Sequence, residues 1–220
     1  MEIQGLILFI LSSCSVAHGQ PGINLRLKKQ LDSVMQLDQK YRAILSNGFT
    51  DSTQQDSLAR ALQVRPQSVA ATLWKLQSSI DSSNIVFVEG LIMRYGYPGK
   101  TLVGDRTCEA AWNVIQHSSR IDKYLATIKK AAMGKELPFK LYAMMYDRYL
   151  MNHNTEQVYG TQVCMLRLKN GENGWFVYPV KNPGKVNTLR RKAGFEQTVE
   201  ENAKRLGVEY KVIKISDILK

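Results

Sequence analysis

Apolar positions recur at helical spacing through most of the chain and change to strand-like alternation only after residue 153. Asn24 caps a helix that runs to about Ser46, with Leu27, Leu31, Val34, Tyr41 and Leu45 on one stripe. "SNGFTDSTQQDS" then reads as a polar loop, followed by a short helix from Ser57 to Val64 that Pro66 stops. Helix resumes from Ser68 to Gln77 and again from Asp81 to Tyr95, with Asp81 as its N-cap. "YGYPGKTLVG" holds three glycines and a proline and is predicted to be loop. Three further helices are expected over Asp105–Ser118, Arg120–Met133 and Pro138–Met151.

Thr161 to Leu168 alternates, "KNGENG" supplies two Asn-Gly pairs, and "WFVYPV" follows, which together predict a β-hairpin. Asn187 is expected to cap a short basic helix, Thr198–Leu206 to be helical, and "VEYKVIKI" to add a last strand. The fold class is α+β, a mainly helical body with a small antiparallel sheet near the C-terminus. The organisation expected is a leader over residues 1–19, a helical segment over 20–66, and an α+β core over 67–220 packed with that segment as one domain.

The leader expectation rests on "GLILFIL", an unbroken apolar run from Gly5 to Leu11, followed by small residues and by Ala17-His18-Gly19. That is the pattern of an export signal cut before Gln20, and the run is too short to span a bilayer. "LSSC", ending at Cys14, also fits a lipoprotein box, which would anchor the product through a lipid on that cysteine. Both routes predict export, to the periplasm or beyond the cell. No other stretch is apolar enough to cross a membrane.

The chain carries 30 basic and 19 acidic residues, and the leader's one charged group is Glu2, so the remainder is more basic still. The lysines and arginines are spread along helices without interleaved aromatic residues, which argues against specific nucleic-acid recognition. A small molecule or a cell-envelope component is the partner expected. Beyond the leader only Cys108 and Cys164 remain, in no metal-binding spacing, and whether they pair is open. No zinc motif, phosphate loop or nucleophile elbow is present, so no cofactor is expected.

Several polar residues fall on apolar faces. Asp38 lies in the middle of the first helix's stripe, with Arg42 at its edge, and a carboxylate there needs a partner. Asn84 shares a face with Val88, Leu91 and Tyr95. His117 lies in line with Ala110 and Val114 on a helix apolar almost all round; a buried structural histidine is the plainer reading. Asp147 and Arg148 interrupt the aromatic helix "LYAMMYDRYL", where an ion pair to a neighbouring helix would explain them. In "QVYGTQ", Gly160 permits a backbone turn and Tyr159 covers the junction. Gln162 is then delivered to the apolar side of the strand that follows.

"GYPGKTLVGDRTCEAAWNVIQHSS", "YDRYLMNHNTEQVYGTQ" and "VNTLRRKAGF" together resemble a bacterial family of uncharacterised proteins. Its marks are a Gly-x-Pro loop, a Gln-His pair ending a helix, an Asp-Arg pair and a Tyr-Gly-Thr-Gln motif. The resemblance reaches upstream to "LDQKYR" and covers roughly Leu37 to Phe195. It implies that Asp38, Gln39, Arg42, Asp81, Asn84, Gly96, Pro98, Gly104, Gln116, His117, Asp147, Arg148, Tyr159, Gly160, Thr161, Gln162 and Arg191 belong to a shared signature, and it brings no activity with it. "MNHNTEQ" departs from the pattern, since relatives have a glycine-containing turn there.

Three functions are compatible with this cluster. In an enzyme, His117 would move protons, Asp38 or Asp147 would orient it, and Arg148 or Gln162 would hold an anionic or carbonyl group, giving a hydrolase-like reaction without cofactor. In a binding module, the same residues, with Tyr159, Thr161, Asn84, Arg42 and Gln116, would form the walls of a ligand pocket. In the third reading they are a buried network that fixes helix packing.

Overall fold

The computed structural model describes residues 22–219, so the expected leader, its expected cleavage site and Cys14 lie outside the described residues. The fold is α+β as expected, a helical body followed by a two-stranded antiparallel sheet near the C-terminus. Helix α1 spans Leu25–Gln39, and its N-cap Asn24 accepts from the Leu27 amide through its side chain. Leu27, Leu31, Val34 and Asp38 are the residues it buries, so the stripe read from periodicity includes the acid.

The helix does not continue to Ser46. It breaks at Lys40 and Tyr41 and restarts as α2, Arg42–Asn47. The cause is a side chain from elsewhere: Gln77 donates to the Asp38 carbonyl at 3.0 Å and accepts from the Tyr41 amide at 3.2 Å. A side chain inserted into the helical ladder kinks it.

Helix α3 covers Ser52–Leu62, capped by Asp51, and with the end of α2 it makes two thirds of the expected polar loop helical. Helix α4 is a single element from Val69 to Tyr95, 27 residues and roughly 40 Å long at 1.5 Å per residue. The break expected between Gln77 and Asp81 is absent. In the serine-rich stretch the Ser82 and Ser83 hydroxyls donate back to the carbonyls one turn earlier. Asp81 is consequently no N-cap; it receives Arg42 from α2 at 2.7 Å.

The glycine-rich loop contains one short helix, α5, Lys100–Val103. After it come α6, Ala110–Gln116, α7, Ile121–Met133, and α8, Phe139–Asn152; the last two are close to expectation, whereas α6 starts five residues later than Asp105, after a 3-10 turn over Thr107–Glu109. The main core joins α4, α6, α7 and α8 around Val88, Trp112, Ile115, Ile128 and Met145. A second cluster packs α1 through Leu27 and Leu31 on Leu91, Val103 and Cys108. Among the described residues no helix is long and apolar enough to cross a membrane.

Between α8 and the sheet, Asn154 takes φ +53°. An asparagine thus supplies a left-handed turn, a conformation that asparagine adopts more readily than most residues. Strands β1, Val163–Arg167, and β2, Asn173–Val177, pair in antiparallel register from Val163 opposite Val177 to Arg167 opposite Asn173.

Helices α9, Val186–Lys192, and α10, Val199–Arg205, follow. Thr198 and Glu201 close a capping box on α10. Asn187 lies inside α9 rather than before it, and its side chain ties α9 to α10 through the Val199 amide and Glu200. No strand forms over "VEYKVIKI". That segment is held by Ile213 packed with Leu168 and Phe176, and a lone bridge joins Ile218 to Leu168.

Candidate functional site

Two buried carboxylates organise the polar residues, one on α1 and one on α8. Asp38 is 1% exposed and receives three side chains. Gln39 donates to it at 2.7 Å, and His117 Nδ1 lies 3.1 Å from each carboxylate oxygen. Arg42 Nε approaches to 3.7 Å. Arg42 spends Nη2 on Asp81, which also accepts from Gln77. The same α1–α2 break that Gln77 creates therefore sets Arg42 between two acids, one on its own strip of chain and one on α4.

His117 forms the C-cap of α6 and keeps 19% of its side chain open. With Nδ1 directed at a carboxylate, the neutral ring carries its proton there and presents a lone pair at Nε2. Nε2 has no hydrogen-bond partner among the described residues.

Asp147 is fully buried and faces a different set of groups. The Val158, Tyr159 and Thr161 amides and the Thr161 hydroxyl donate to it at 2.8–3.2 Å. Burial pushes its carboxyl above the usual range, and those amides draw it part of the way back. Its neighbour Arg148 donates to the Gln162 side-chain oxygen at 3.1 Å and to the Gln116 carbonyl at 3.0 Å. Burial holds Arg148 below the ordinary guanidinium range, and the nearby charge of Arg42 adds to the effect. Arg148 makes no ion pair among the described residues, so the expected Asp-Arg tie to another helix is instead an Arg-carbonyl tie to α6.

Gln162 closes the loop. Its amide nitrogen donates to the Met144 carbonyl and the Thr161 hydroxyl, so both ends of the side chain are taken. Gly160 makes the turn at φ +64°, and a Cβ there would come within 2.5 Å of Val199. The Tyr159 carbonyl accepts from Arg190, and its ring tilts over Phe195 at 6.2 Å.

The structure thus brings Asp38, Arg42 and His117 together and reaches them from Arg148 through the backbone of Gln116, whose own side chain turns back to Asn113. Asp147, Tyr159, Thr161 and Gln162 form the second group, on the other side of Arg148. Asn84 is buried with its Nδ2 unpartnered among the described residues, and no hydrogen bond joins it to either group.

Sequence reasoning passed over three residues of the same networks. Gln77 and Gln157 are wholly buried, and Gln157 pins the loop by donating to the Tyr178 and Gln162 carbonyls. Arg190 is 1% exposed and donates to Tyr159 and Gln197 carbonyls. Its signal was present, because Val186, Arg190 and Ala193 recur at helical spacing and all three are buried.

His117 lines none of the main surface cavities among the described residues. One of about 300 Å³ is lined by Thr161, Arg190 and Phe195, and another of about 580 Å³ lies between α1 and α4. Among the described residues no group of three or more His, Cys, Asp or Glu side chains is gathered as metal ligands. Cys108 and Cys164 are both free thiols, and burial raises Cys108 to about 11.

The class defined by these features is a mainly helical α+β protein whose helices and loop are tied by two buried carboxylate networks. The chain belongs to the family of unknown function DUF6624, whose sequence model matches residues 44–214. Asp38 and Arg42 stand just before the matched stretch; His117, Asp147, Arg148 and the Tyr159–Gln162 loop stand within it. No curated protein and no solved structure matches the chain.

Proposed function

We propose that His117, oriented by Asp38, is the proton-transfer group of an exported, hydrolase-like enzyme that works without cofactor. The observation that carries this reading is the pairing of a partly exposed imidazole with a sealed carboxylate, Nδ1 lying 3.1 Å from both Asp38 oxygens. In that arrangement Nε2 takes a proton from water as the water oxygen attacks an acyl or comparable centre. The imidazolium so formed is stabilised by the Asp38 charge and returns the proton to the leaving group. Both ends of Gln162 are committed within the fold, and Arg148 spends Nε and Nη1 on Gln162 and the Gln116 carbonyl, so the Arg148 Nη2, unpartnered among the described residues, is the group left to hold a carbonyl or anionic oxygen. The apolar run of residues 5–11 supports export.

A second reading is favoured by a specific observation at Asp147, whose oxygens are spent on the 158–161 backbone. On that reading the Asp147 network closes the fold and takes no part in chemistry.

The test is turnover of a panel of chromogenic esters, amides and phosphoesters by the wild type, His117→Gln and Asp38→Asn, with melting curves for each. The expected result is an activity reduced by about 10²-fold or more in His117→Gln while the fold is kept. Activity that survives that substitution would overturn the assignment.

A further inference from the structure

We infer that the 300 Å³ cavity between α8, the Tyr159–Gln162 loop and the α9–α10 corner is a binding site for a small organic anion, separate from His117. Its defining group is Arg190, a buried guanidinium on the cavity wall. Nε and Nη1 are used on the Gln197 and Tyr159 carbonyls, and Nη2 has no partner among the described residues. Those two carbonyls fix the plane of the fork, and Phe195 supports it from one face at 4.6 Å.

A guanidinium taken out of water calls for an anion, and Arg190 has no carboxylate within ion-pair distance among the described residues. Asp147, Glu200 and Glu201 lie near enough to favour its charge, but Asp147 is committed to the loop amides and Thr161, Glu200 accepts from Asn187, and Glu201 accepts from the Thr198 amide. Lys140 and Arg205 add two cations at the rim against one acid, Glu196. Met144 and the Phe195 ring supply apolar wall. A planar or tetrahedral oxyanion head on Arg190 with a compact apolar body against Met144 and Phe195 satisfies all of these groups, and the volume is at the small end of ligand pockets, roughly 300–1,000 Å³.

The test is calorimetric titration of the purified protein with phenyl phosphate and with benzoate, at ionic strength held constant with chloride. Arg190 itself is left intact because it also holds two carbonyls of the fold. The rim double variant Lys140→Ala/Arg205→Ala is compared with Lys129→Ala/Lys130→Ala, which removes the same charge from α7. Saturable millimolar or tighter binding of at least one probe is expected, weakened about tenfold or more by the rim variant, as loss of charge-assisted contacts requires, and unchanged in the control. The probe that binds tells a phosphate head from a carboxylate. Binding of neither probe to the wild type, or a smaller loss in the rim variant, overturns the site.

Discussion

At the scale of single residues, the two acids have different duties that their sequence settings could not separate. Both interrupt apolar helical faces, and both are sealed from water. Asp38 faces side chains, one of them a partly exposed histidine; Asp147 faces backbone amides of a loop 11 to 14 residues downstream. Removing Asp147 orphans several buried donors at once, each worth about 1–3 kcal/mol when left unpaired. Asp147→Ala is therefore expected to cost about 3 kcal/mol or more, while Thr161→Ala, which removes one donor and keeps the carboxylate, costs about 1 kcal/mol. Urea melts of the two variants check this, and an Asp147→Ala protein as stable as the wild type would refute the role of the loop amides.

At the scale of elements, what was legible depended on where the determining partner stands in the chain. The Asn24 cap, the α1 stripe with its misplaced acid, and the turn at Gly160 are set by residues within one or two turns, and all three were readable. The break at Tyr41 was not, because its cause is Gln77, 36 residues away. Nor was the continuity of α4, where a serine-rich run reads as a boundary until Arg42 arrives to pair Asp81. The final strand failed for a related reason: its alternation is used to plant Ile213 in the hairpin cluster, not to join a ladder. Of the site, the residue types were legible, but their division into two networks hangs on side-chain reach across the fold. Gln77→Leu tests the element-level account. It keeps the volume and strands the Tyr41 amide and part of the Asp81 carboxylate, so a loss of about 2–3 kcal/mol is expected. Circular dichroism should show helix content retained, since leucine is a good helix former in α4. Stability unchanged by the substitution would mean that the kink forms without Gln77.

At the scale of the whole molecule, the expected leader and the described fold meet within a few residues of each other. A cut before Gln20 leaves the α1 cap complete: Asn24 accepts from Leu27 through its side chain, and its own amide donates to the Leu102 carbonyl at 2.9 Å. Leu27, the first core residue among the described residues, stands three positions further on at 3% exposure. A chain begun at Lys28 lacks all of this. It loses the cap, worth about 1 kcal/mol, and the burial of one leucine, worth about 2 kcal/mol. It also uncovers the Leu31, Val103 and Cys108 cluster, whose buried thiol is otherwise kept protonated. The chain beginning at Gln20 is thus expected to melt cooperatively with Cys108 slow to alkylate at pH 8, and the chain beginning at Lys28 to lose about 3 kcal/mol and expose that thiol. Mass spectrometry of the N-terminal peptide of the mature product joins the two arguments. A start at Gln20 agrees with both, whereas a start beyond Leu27 in a stable product would refute both the leader expectation and the contribution of the α1 cap to stability.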